Sequence, residues 1–436
     1  MMATLCRSLV PRSRTMTTLL VLQGWQHQQH HHHHHHHRQL SVLSSSNNNS
    51  HPEDATVAYS SDTTATTNST AENPQLLNVL SGKQASLGPG FSVRRILPMA
   101  KQRSVGPFIF LDHFDTHDNL MNVGPHPHIG LTTLTYLYHG MILHRDSTGA
   151  QQVIRPGGVN AMVAGRGVTH SERGQSRDIQ DHWKQAANGE PAIPESQMPT
   201  SMHGLQLWMA LSRQGEDVEP SFHHGSSVPM TKTDDTKHNT TGGVEATLVV
   251  GRCNGLEQSD IPLDVDLGRV VFVDIDLAQR GSSFTLHDLG GSRHQPNEGA
   301  DATAELQVGV YVSTGQVEAT FPGAPHEDDD GDDNHSHSTT TTTTTTIDAG
   351  QMAVWNMSSG TQLQLTGLQN GTRVAVVGGT PLSEPRHLLW NFCSHSKSKL
   401  QRAAQAWKEL DRTVFPKVVG ESNDDSIPLP TRSSPR

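Results

Sequence analysis

Two short motifs, GPHPHIG at positions 124–130 and GRGVTHSE at 165–172, decide how this sequence is interpreted. In each motif, two side chains able to bind a metal ion are separated by a single residue. Residues i and i+2 of a β-strand point to the same face, so each motif aims two such side chains at one point. A lone pair of this kind is a weak signal, whereas two pairs in one β region favour a metal site. The side chains concerned are those of His126, His128, His170 and Glu172.

The sequence around the motifs, from about residue 88 to 209, consists of short apolar runs separated by Gly and Pro. Such runs are typical of the strands of a β-sandwich or barrel. The strands are predicted at 108–111, 134–138, 152–154 and 160–163. Residues 144–149 contain Asp, Ser and Gly and predict a hairpin turn. In a small closed barrel, we expect the two motif strands to face each other across the interior and bring four ligands to one ion.

A second region of similar texture extends from about residue 244 to 379 and indicates a duplicated β architecture. Its strands are predicted at 247–250, 269–275, 309–312 and 373–377. Two polar segments, 176–201 and 327–346, are predicted to be irregular loops, the second because it is acidic and rich in Thr. One helix is predicted over about 396–410, where apolar residues recur at helical spacing. Its apolar face comprises Leu400, Ala403, Ala404 and Trp407.

The first 82 residues are rich in Gln, His, Ser, Asn and Thr, a composition that predicts disorder. Their run of eight histidines, 30–37, is interpreted as a repeat-expansion tract, with loose metal binding as the alternative. The first 50 residues contain no acid and several Arg, Ser and Thr, which leaves an organelle-targeting segment and an untargeted tail as open alternatives.

The composition of the chain excludes several classes of protein. A formal net charge of −11 argues against direct nucleic-acid binding, which requires clustered Lys and Arg. No apolar run approaches the roughly 20 residues that span a bilayer. These observations predict a soluble protein, which we expect to be a monomer of the cytoplasm, the nucleus or both. The three cysteines lie too far apart for a CxxC site or a disulfide framework, and none has an evident base partner; they are Cys6, Cys253 and Cys393.

Other histidines and acids are weaker candidates for the metal site than the four motif residues. Asp112 and His113 follow the 108–111 strand and either line the pocket or have a structural role. His139 and His144 are predicted to lie in loops or on the surface. The remaining candidates lack a rigid strand or a partner at strand spacing, so the second β region is predicted to hold no metal; they are His287, His294, His335 and His337.

The donor set predicts the class of metal. Three imidazoles and one carboxylate, without a thiolate, suit Fe(II), Mn, Ni, Cu(II) or Zn. A closed tetrahedral zinc site is one option. Four protein ligands in an octahedral field would leave two open positions for oxygen chemistry, which favours iron, expected as Fe(II), or another redox metal.

The residues around both motifs resemble the pirin family, a branch of the cupin superfamily. The resembling stretches are 91–98, 106–114, 126–140, 144–149, 154–172, 204–208, 219–222, 349–351, 385–392 and 415–418. The resemblance implies an all-β bicupin, in which two β-barrels face each other and only the N-terminal one holds a metal. The family's ligands are the histidines of HPH and the His and Glu of HSE, here His126, His128, His170 and Glu172.

Two positions depart from related patterns. General cupins often carry a Glu four residues after the second His of the first motif, where this chain has Thr132, so Glu172 must supply the carboxylate. Some pirins have Arg directly after HPH, where this chain has Ile129, so no pocket role of that Arg carries over.

These observations predict five regions along the chain. They are a disordered region at 1–82, an N-terminal cupin domain with the metal site at 83–212, a linker at 213–245, a C-terminal cupin domain without metal at 246–382, and a C-terminal helix and tail at 383–436. The C-terminal cupin domain contains a loop insertion at 325–347.

The resemblance implies two kinds of function. Some pirins resemble quercetin 2,3-dioxygenases, which open a flavonol ring with O₂, and others are iron-dependent nuclear co-regulators that bind transcription factors. We expect first an oxygenase, in which Glu172 is the general base that takes the hydroxyl proton of the flavonol. A metal-dependent protein-binding module and a metal-binding cupin without catalysis are the alternatives.

Overall fold

The computed structural model describes residues 74–87, 91–117, 121–185, 194, 196, 198–231, 243–261, 268–290, 305–322, 342–358, 360–422 and 425–430. The predictions for the histidine run, for a targeting segment at 1–50, and for His294, His335 and His337 lie outside the described residues. None of the described helices is long and apolar enough to cross a membrane.

The first β unit and its flanking elements occupy the N-terminal half of the described chain. In order, they are β1 (Gln75–Ser81), β2 (Lys83–Ser86), β3 (Ser92–Leu97), β4 (Phe108–His117), β5 (Asn122–His128), β6 (Leu131–His139), β7 (Ile142–Asp146), β8 (Gln151–Ile154), β9 (Gly158–Val163), β10 (Val168–Arg173), α1 (Ser176–Gln185), β11 (Ser201–Ala210), β12 (Ser221–Ser226) and β13 (Val228–Pro229).

The second unit and the C-terminal elements follow. They are β14 (Val244–Cys253), β15 (Leu256–Gln258), β16 (Val270–Leu277), β17 (Ser283–Leu286), β18 (Leu306–Thr314), β19 (Gln316–Phe321), β20 (Thr343–Asp348), β21 (Gln351–Met357), β22 (Leu363–Gly367), β23 (Thr372–Gly379), β24 (His387–Leu389), β25 (Phe392–Ser394) and α2 (Lys397–Lys408).

Each unit consists of one large and one small antiparallel sheet. In the first unit, the sheet β12-β9-β6-β11-β4-β3-β2 accompanies the sheet β5-β10-β7-β8. In the second, the sheet β1-β21-β18-β23-β16-β14-β13, with β15 on β14, accompanies the sheet β17-β22-β19-β20. Val168 of a small sheet packs with Met162 and Trp208 of its large sheet, so the core of the first unit lies between its two sheets.

The two units pack against each other through their large sheets. One apolar cluster contains Leu134 and Leu205 of the first unit together with Phe272 and Val377 of the second. The neighbour of Phe272, Val273, instead faces the core of the second unit. Strands of the large sheets therefore bury both faces, which explains their nearly continuous apolar sequence. The all-β bicupin prediction is confirmed, and every strand predicted from the sequence lies within an observed strand or overlaps one.

The predicted C-terminal helix is confirmed as α2. The Ser396 side chain accepts a hydrogen bond from the backbone N–H of Lys399 and caps the first turn. Leu400, Ala403 and Trp407 are buried, as their spacing indicated.

Four predicted irregular regions contain regular structure. The end of the region predicted to be disordered forms β1, which pairs with β21 of the second unit. The segment predicted as an irregular loop at 176–201 begins with α1, because Ile179 is buried against Leu143 and Val153. The predicted linker supplies β12, which extends the first large sheet beside β9. Part of the Thr-rich run forms β20 on β19, because β-branched Thr suits an extended strand.

Candidate metal centre

The two motif strands, β5 and β10, are neighbours in one sheet. Their antiparallel register places His170 opposite His126 and Val168 opposite His128. The prediction that these strands face each other across the barrel was wrong. Residues opposite each other on adjacent strands lie about 5 Å apart, so direct pairing brings the ligands together without crossing the interior. The ligand atoms of His126, His128 and His170 lie within 4.8 Å of one another, and this group could hold a metal ion.

Backbone carbonyls fix the tautomers of two of these histidines. His126 donates from Nδ1 to the Gly124 carbonyl at 2.9 Å, and His128 donates from Nδ1 to the Asn391 carbonyl at 3.1 Å. Because a carbonyl oxygen only accepts, each Nδ1 carries the proton and each Nε2 keeps a free lone pair. This is the arrangement found in metal-binding histidines, whose second nitrogen is held by a hydrogen bond.

His170 is buried without any hydrogen-bond partner. Its side chain is 1% exposed, and neither Nδ1 nor Nε2 bonds to a protein atom. An unpaired buried polar group costs about 1–3 kcal/mol, so an imidazole is retained here at the expense of stability. A metal ion bound to one of these nitrogens would satisfy it. The orphaned ring is the observation that fits the residues to a metal.

Burial also sets the protonation of the three histidines. Desolvation lowers the pKa of His126 to about 4 and holds the pKa values of His128 and His170 well below the ordinary value. All three rings are therefore neutral at pH 7, which is the form that binds a metal.

Glu172, the fourth predicted ligand, lies beside the histidine cluster and is not one of its members. Its Oε1 accepts a hydrogen bond from the Thr135 hydroxyl at 3.3 Å, and that hydroxyl lies 2.9 Å from Oε1 of Gln206. Burial raises the pKa of Glu172, and the proximity of His144 and the Thr135 bond offset only part of that rise. Coordination by Glu172 stays a prediction.

His144 is a residue of the site that the sequence reasoning missed. It was assigned to a loop or the surface, but it lies in β7, is 3% exposed and stands opposite Glu172. Its ring centre is 5.2 Å from that of His170, and its Nε2 is 3.2 Å from Oδ2 of Asp146. His144 and Asp146 have the same i, i+2 spacing as the motif pairs, which was the available signal. His139, at the end of β6, is exposed as predicted.

The turn predicted after His144 begins later than expected. Residues 144–146 continue β7, and the turn occupies 147–150. Asp146 stabilises it, because its Oδ1 accepts hydrogen bonds from the backbone N–H and hydroxyl of Thr148 and from the backbone N–H of Ala150.

Asp112 and His113 have structural roles and do not line the site. Asp112 is paired with Arg95 through two hydrogen bonds of 2.8 and 2.7 Å. His113 lies at the interface between the units, where it bonds to Tyr311 and His203. The two described thiols are not nucleophiles, because burial keeps them protonated. It raises the pKa of Cys253 to about 12 and that of Cys393 further above its usual range.

Aromatic side chains flank the histidines on two sides. The Trp208 ring meets that of His128 edge to face at 5.1 Å and is stacked on Phe110 at 4.0 Å. The Phe222 ring is stacked on His144 at 4.5 Å. The candidate centre therefore combines three neutral histidines and a buried carboxyl with flat apolar surfaces.

Comparison with known proteins identifies the family of this chain. Residues 90–209 match the family model described as Pirin, and residues 302–412 match the model of the Pirin C-terminal cupin domain. The chain belongs to the pirin family. A pirin-like protein of Caulobacter vibrioides is 31% identical over 361 residues, which cover 81% of this chain and 98% of the relative.

Other proteins similar to this pirin are named after an enzymatic activity. A Pseudomonas aeruginosa protein named "Putative quercetin 2,3-dioxygenase" is 30% identical over 77% of this chain and 85% of its own length. The crystal structure of quercetin 2,3-dioxygenase from Acinetobacter baumannii covers 82% of this chain and 97% of its own, with a TM-score of 0.57 and 24% identity. At that identity the structural likeness supports the shared fold.

The position after the HPH motif has a packing role in this pirin. Ile129 is 2% exposed and packs with Phe392, Leu400 and Trp407 of the C-terminal elements. Its backbone carbonyl accepts a hydrogen bond from the Cys393 N–H at 3.1 Å. Strand β25 and helix α2 are thereby joined to the residue that follows the strand carrying His126 and His128.

Proposed function

We propose that this pirin is a metal-dependent dioxygenase that opens the ring of a flavonol such as quercetin with O₂, and that its metal is Fe(II). The observation that carries the proposal is the convergence of three neutral, buried histidines, one of them without any hydrogen-bond partner. The names of the Pseudomonas relatives add support for the reaction class.

In this proposal, His126, His128, His170 and Glu172 hold the ion. The donor set contains no thiolate and suits a redox-active metal that keeps positions open for exogenous oxygen ligands. Such an ion would supply Lewis acidity toward the substrate's oxygen atoms and redox chemistry toward O₂.

Glu172 would act as the general base. Its carboxyl is buried and lies opposite His144 beside the histidine cluster, where a proton acceptor can act on a bound substrate. The proton would come from the flavonol hydroxyl and reside on a Glu172 oxygen, while the Thr135 hydroxyl orients Oε1. The Trp208 and Phe222 rings place apolar surface beside the histidines, which would exclude water from an aromatic substrate.

Oxygen consumption tests the proposal. The full chain, with the histidines at 30–37 replaced by serine so that the run collects no metal, is loaded with Fe(II) and mixed with quercetin. We expect O₂ uptake well above that of free Fe(II), and no such uptake by the double variant His126→Ala, His170→Ala. An iron-loaded protein that consumes no more O₂ than free iron would refute the dioxygenase proposal and leave the protein-binding module and the cupin without catalysis as the alternatives.

A further inference from the structure

The described residues that follow α2 lie against the outside of the metal-binding sheet. We define the C-terminal tail as the described residues that follow α2, 411–422 and 425–430. The backbone N–H of Ile427 donates to the Pro125 carbonyl at 2.8 Å. A Cβ at Gly124 would come within 2.1 Å of the Asp425 carbonyl oxygen, so the tail backbone touches β5 directly. Trp407 of α2 holds this contact, since its Nε1 donates to the Ile427 carbonyl at 3.0 Å.

Within this tail, Glu421 is a buried carboxylate with an unusual set of partners. Its side chain is 5% exposed. Oε1 accepts hydrogen bonds from the Ser171 hydroxyl at 2.9 Å, from Nη1 of Arg145 at 3.1 Å and from Nε of Arg173 at 3.2 Å. Oε2 accepts a further bond from Nη2 of Arg173. Charge-assisted hydrogen bonds of this kind are about twice as strong as neutral ones, so Glu421 joins β7 and β10 firmly.

The partners of Glu421 alternate along the chain with residues of the metal site. Ser171 lies between His170 and Glu172, and Arg173 follows Glu172 directly. On β7, Arg145 lies between His144 and Asp146. Side chains alternate between the two faces of a strand, so the partners of Glu421 lie on the outer face while the neighbouring site residues point inward. Glu421 therefore binds the outer face of β7 and β10 directly behind the site.

A metal centre needs this kind of backbone support. Ligands must be held within about 0.5 Å of their productive positions, and residues behind the ligands commonly provide that restraint. Two residues of the tail, and Asn391 before α2, form hydrogen bonds to a histidine of the cluster or to the residue next to one. Asn391 binds His128, Ile427 binds the residue before His126, and Glu421 binds the residue after His170.

We propose that Glu421 is a positioning residue for the metal centre, and that docking of the C-terminal tail and binding of the metal strengthen each other. By bonding Ser171, Arg173 and Arg145, it fixes the separation and twist of β10 and β7. This inference rests on the metal site of the proposed function, although it requires no particular substrate or reaction.

Metal affinity tests the positioning role. The full chain with serines at 30–37 is compared with Glu421→Gln and with Glu384→Gln, which breaks the exposed pair of Arg213 and Glu384. We expect Glu421→Gln to weaken Fe(II) binding about tenfold, as other residues behind metal ligands do, and to change the visible absorption of the Co(II)-loaded protein. Glu384→Gln should leave both unchanged. If Glu421→Gln lowers only the melting temperature and keeps the affinity and spectrum, its role is structural and the inference is overturned.

A milder variant keeps the test decisive if Glu421→Gln fails to fold. Ser171→Ala removes one hydrogen bond and leaves both arginine pairs of Glu421 in place. We expect a smaller loss of Fe(II) affinity, about threefold. An unchanged affinity together with an unchanged Co(II) spectrum would overturn the positioning role.

Hydrogen exchange tests the reciprocal effect. If the docked tail favours metal binding, metal must favour the docked tail by the same factor. In the chain with serines at 30–37, we expect saturating Fe(II) to slow amide exchange in residues 411–422, as in its Glu384→Gln variant, and not in its double variant His126→Ala, His170→Ala. Metal binding with unchanged exchange of the tail would overturn the coupling. A chain that binds metal and protects its tail but does not oxidise quercetin would refute only the dioxygenase proposal.

Discussion

His170 shows a conflict between stability and function at the scale of one residue. Its buried ring has no hydrogen-bond partner in the protein. Replacement of an unpaired buried polar group by an apolar one of similar size removes a desolvation cost. The presence of such a ring is explained if the metal supplies the missing partner.

The His170→Leu variant tests this explanation. We expect the metal-free variant to have a free energy of unfolding about 1 kcal/mol higher than that of the metal-free wild type, and to lose the stabilisation that added Fe(II) gives the wild type. Urea unfolding with and without a chelator measures both effects. His139→Leu, at an exposed position, is the control. A variant less stable than wild type under chelation would contradict the explanation.

The Thr135 hydroxyl defines the proton arrangement next to Glu172. It lies within hydrogen-bonding distance of Oε1 of Glu172 and of Oε1 of Gln206. One hydroxyl proton cannot serve two acceptor oxygens. Either Glu172 carries a proton, in keeping with its raised pKa, or the Gln206 amide turns its NH₂ toward Thr135.

The second arrangement is the one that the proposed base requires, because there Glu172 is ionised and Thr135 donates to its Oε1 and orients it. Thr135→Val removes that hydrogen bond without changing the shape of the side chain, and we expect kcat for quercetin to fall about tenfold with a smaller change in KM. Thr135→Ser should restore most of the activity. Steady-state kinetics at saturating iron provides the measurement, and equal losses in the Val and Ser variants would exclude the hydroxyl as the cause.

At the scale of elements, β1 connects the N-terminal part of the described chain to the far unit. It pairs with β21, and Leu80 is fully buried in the cluster between the large sheets. We expect Leu80→Ala to lower the free energy of unfolding by about 3 kcal/mol, the usual cost of a cavity in a core. Leu76→Ala, on the same strand but 42% exposed, should cost less than about 0.5 kcal/mol. Equal effects in urea unfolding would show that β1 is not docked.

At the scale of the whole molecule, the interface between the units contains a buried histidine pair. His113 Nε2 is 2.8 Å from Nε2 of His203, and its Nδ1 is 2.7 Å from the Tyr311 hydroxyl of the second unit. Burial, with the nearby charges of His203 and Arg94, lowers the pKa of His113 to about 3. The unfolded chain takes up a proton at this residue below a pH of about 6.5, and the folded chain does not.

This difference makes the interface sensitive to acid. A depressed folded pKa contributes stability above a pH of about 6.5 and loses it as the pH falls, which for His113 amounts to about 2 kcal/mol at pH 5. Urea unfolding at pH 8 and pH 5 measures the loss. We expect His113→Asn to reduce this pH dependence and His139→Asn, at an exposed position, to preserve it. If His113→Asn kept the full pH dependence, another group would be responsible.

Much of this protein follows from its sequence alone. The i, i+2 spacing in HPH and HSE selects the inward-facing side chains, because the alternation of a strand is a local property. The apolar runs predict the strands of both units for the same reason, and the spacing from Leu400 to Trp407 predicts α2. Resemblance to the pirin family predicts two barrels, with the metal site in the N-terminal one.

Only the tertiary structure decided which strands are neighbours. The direct pairing of β5 with β10, the approach of His144 to Glu172 and the return of β1 to the second unit depend on contacts between distant residues. The bond from Glu421 to Ser171 spans 250 residues of sequence. Local periodicity determines the face on which a side chain lies. The partner across the sheet is chosen by burial and hydrogen bonding over the whole molecule, which no local pattern records.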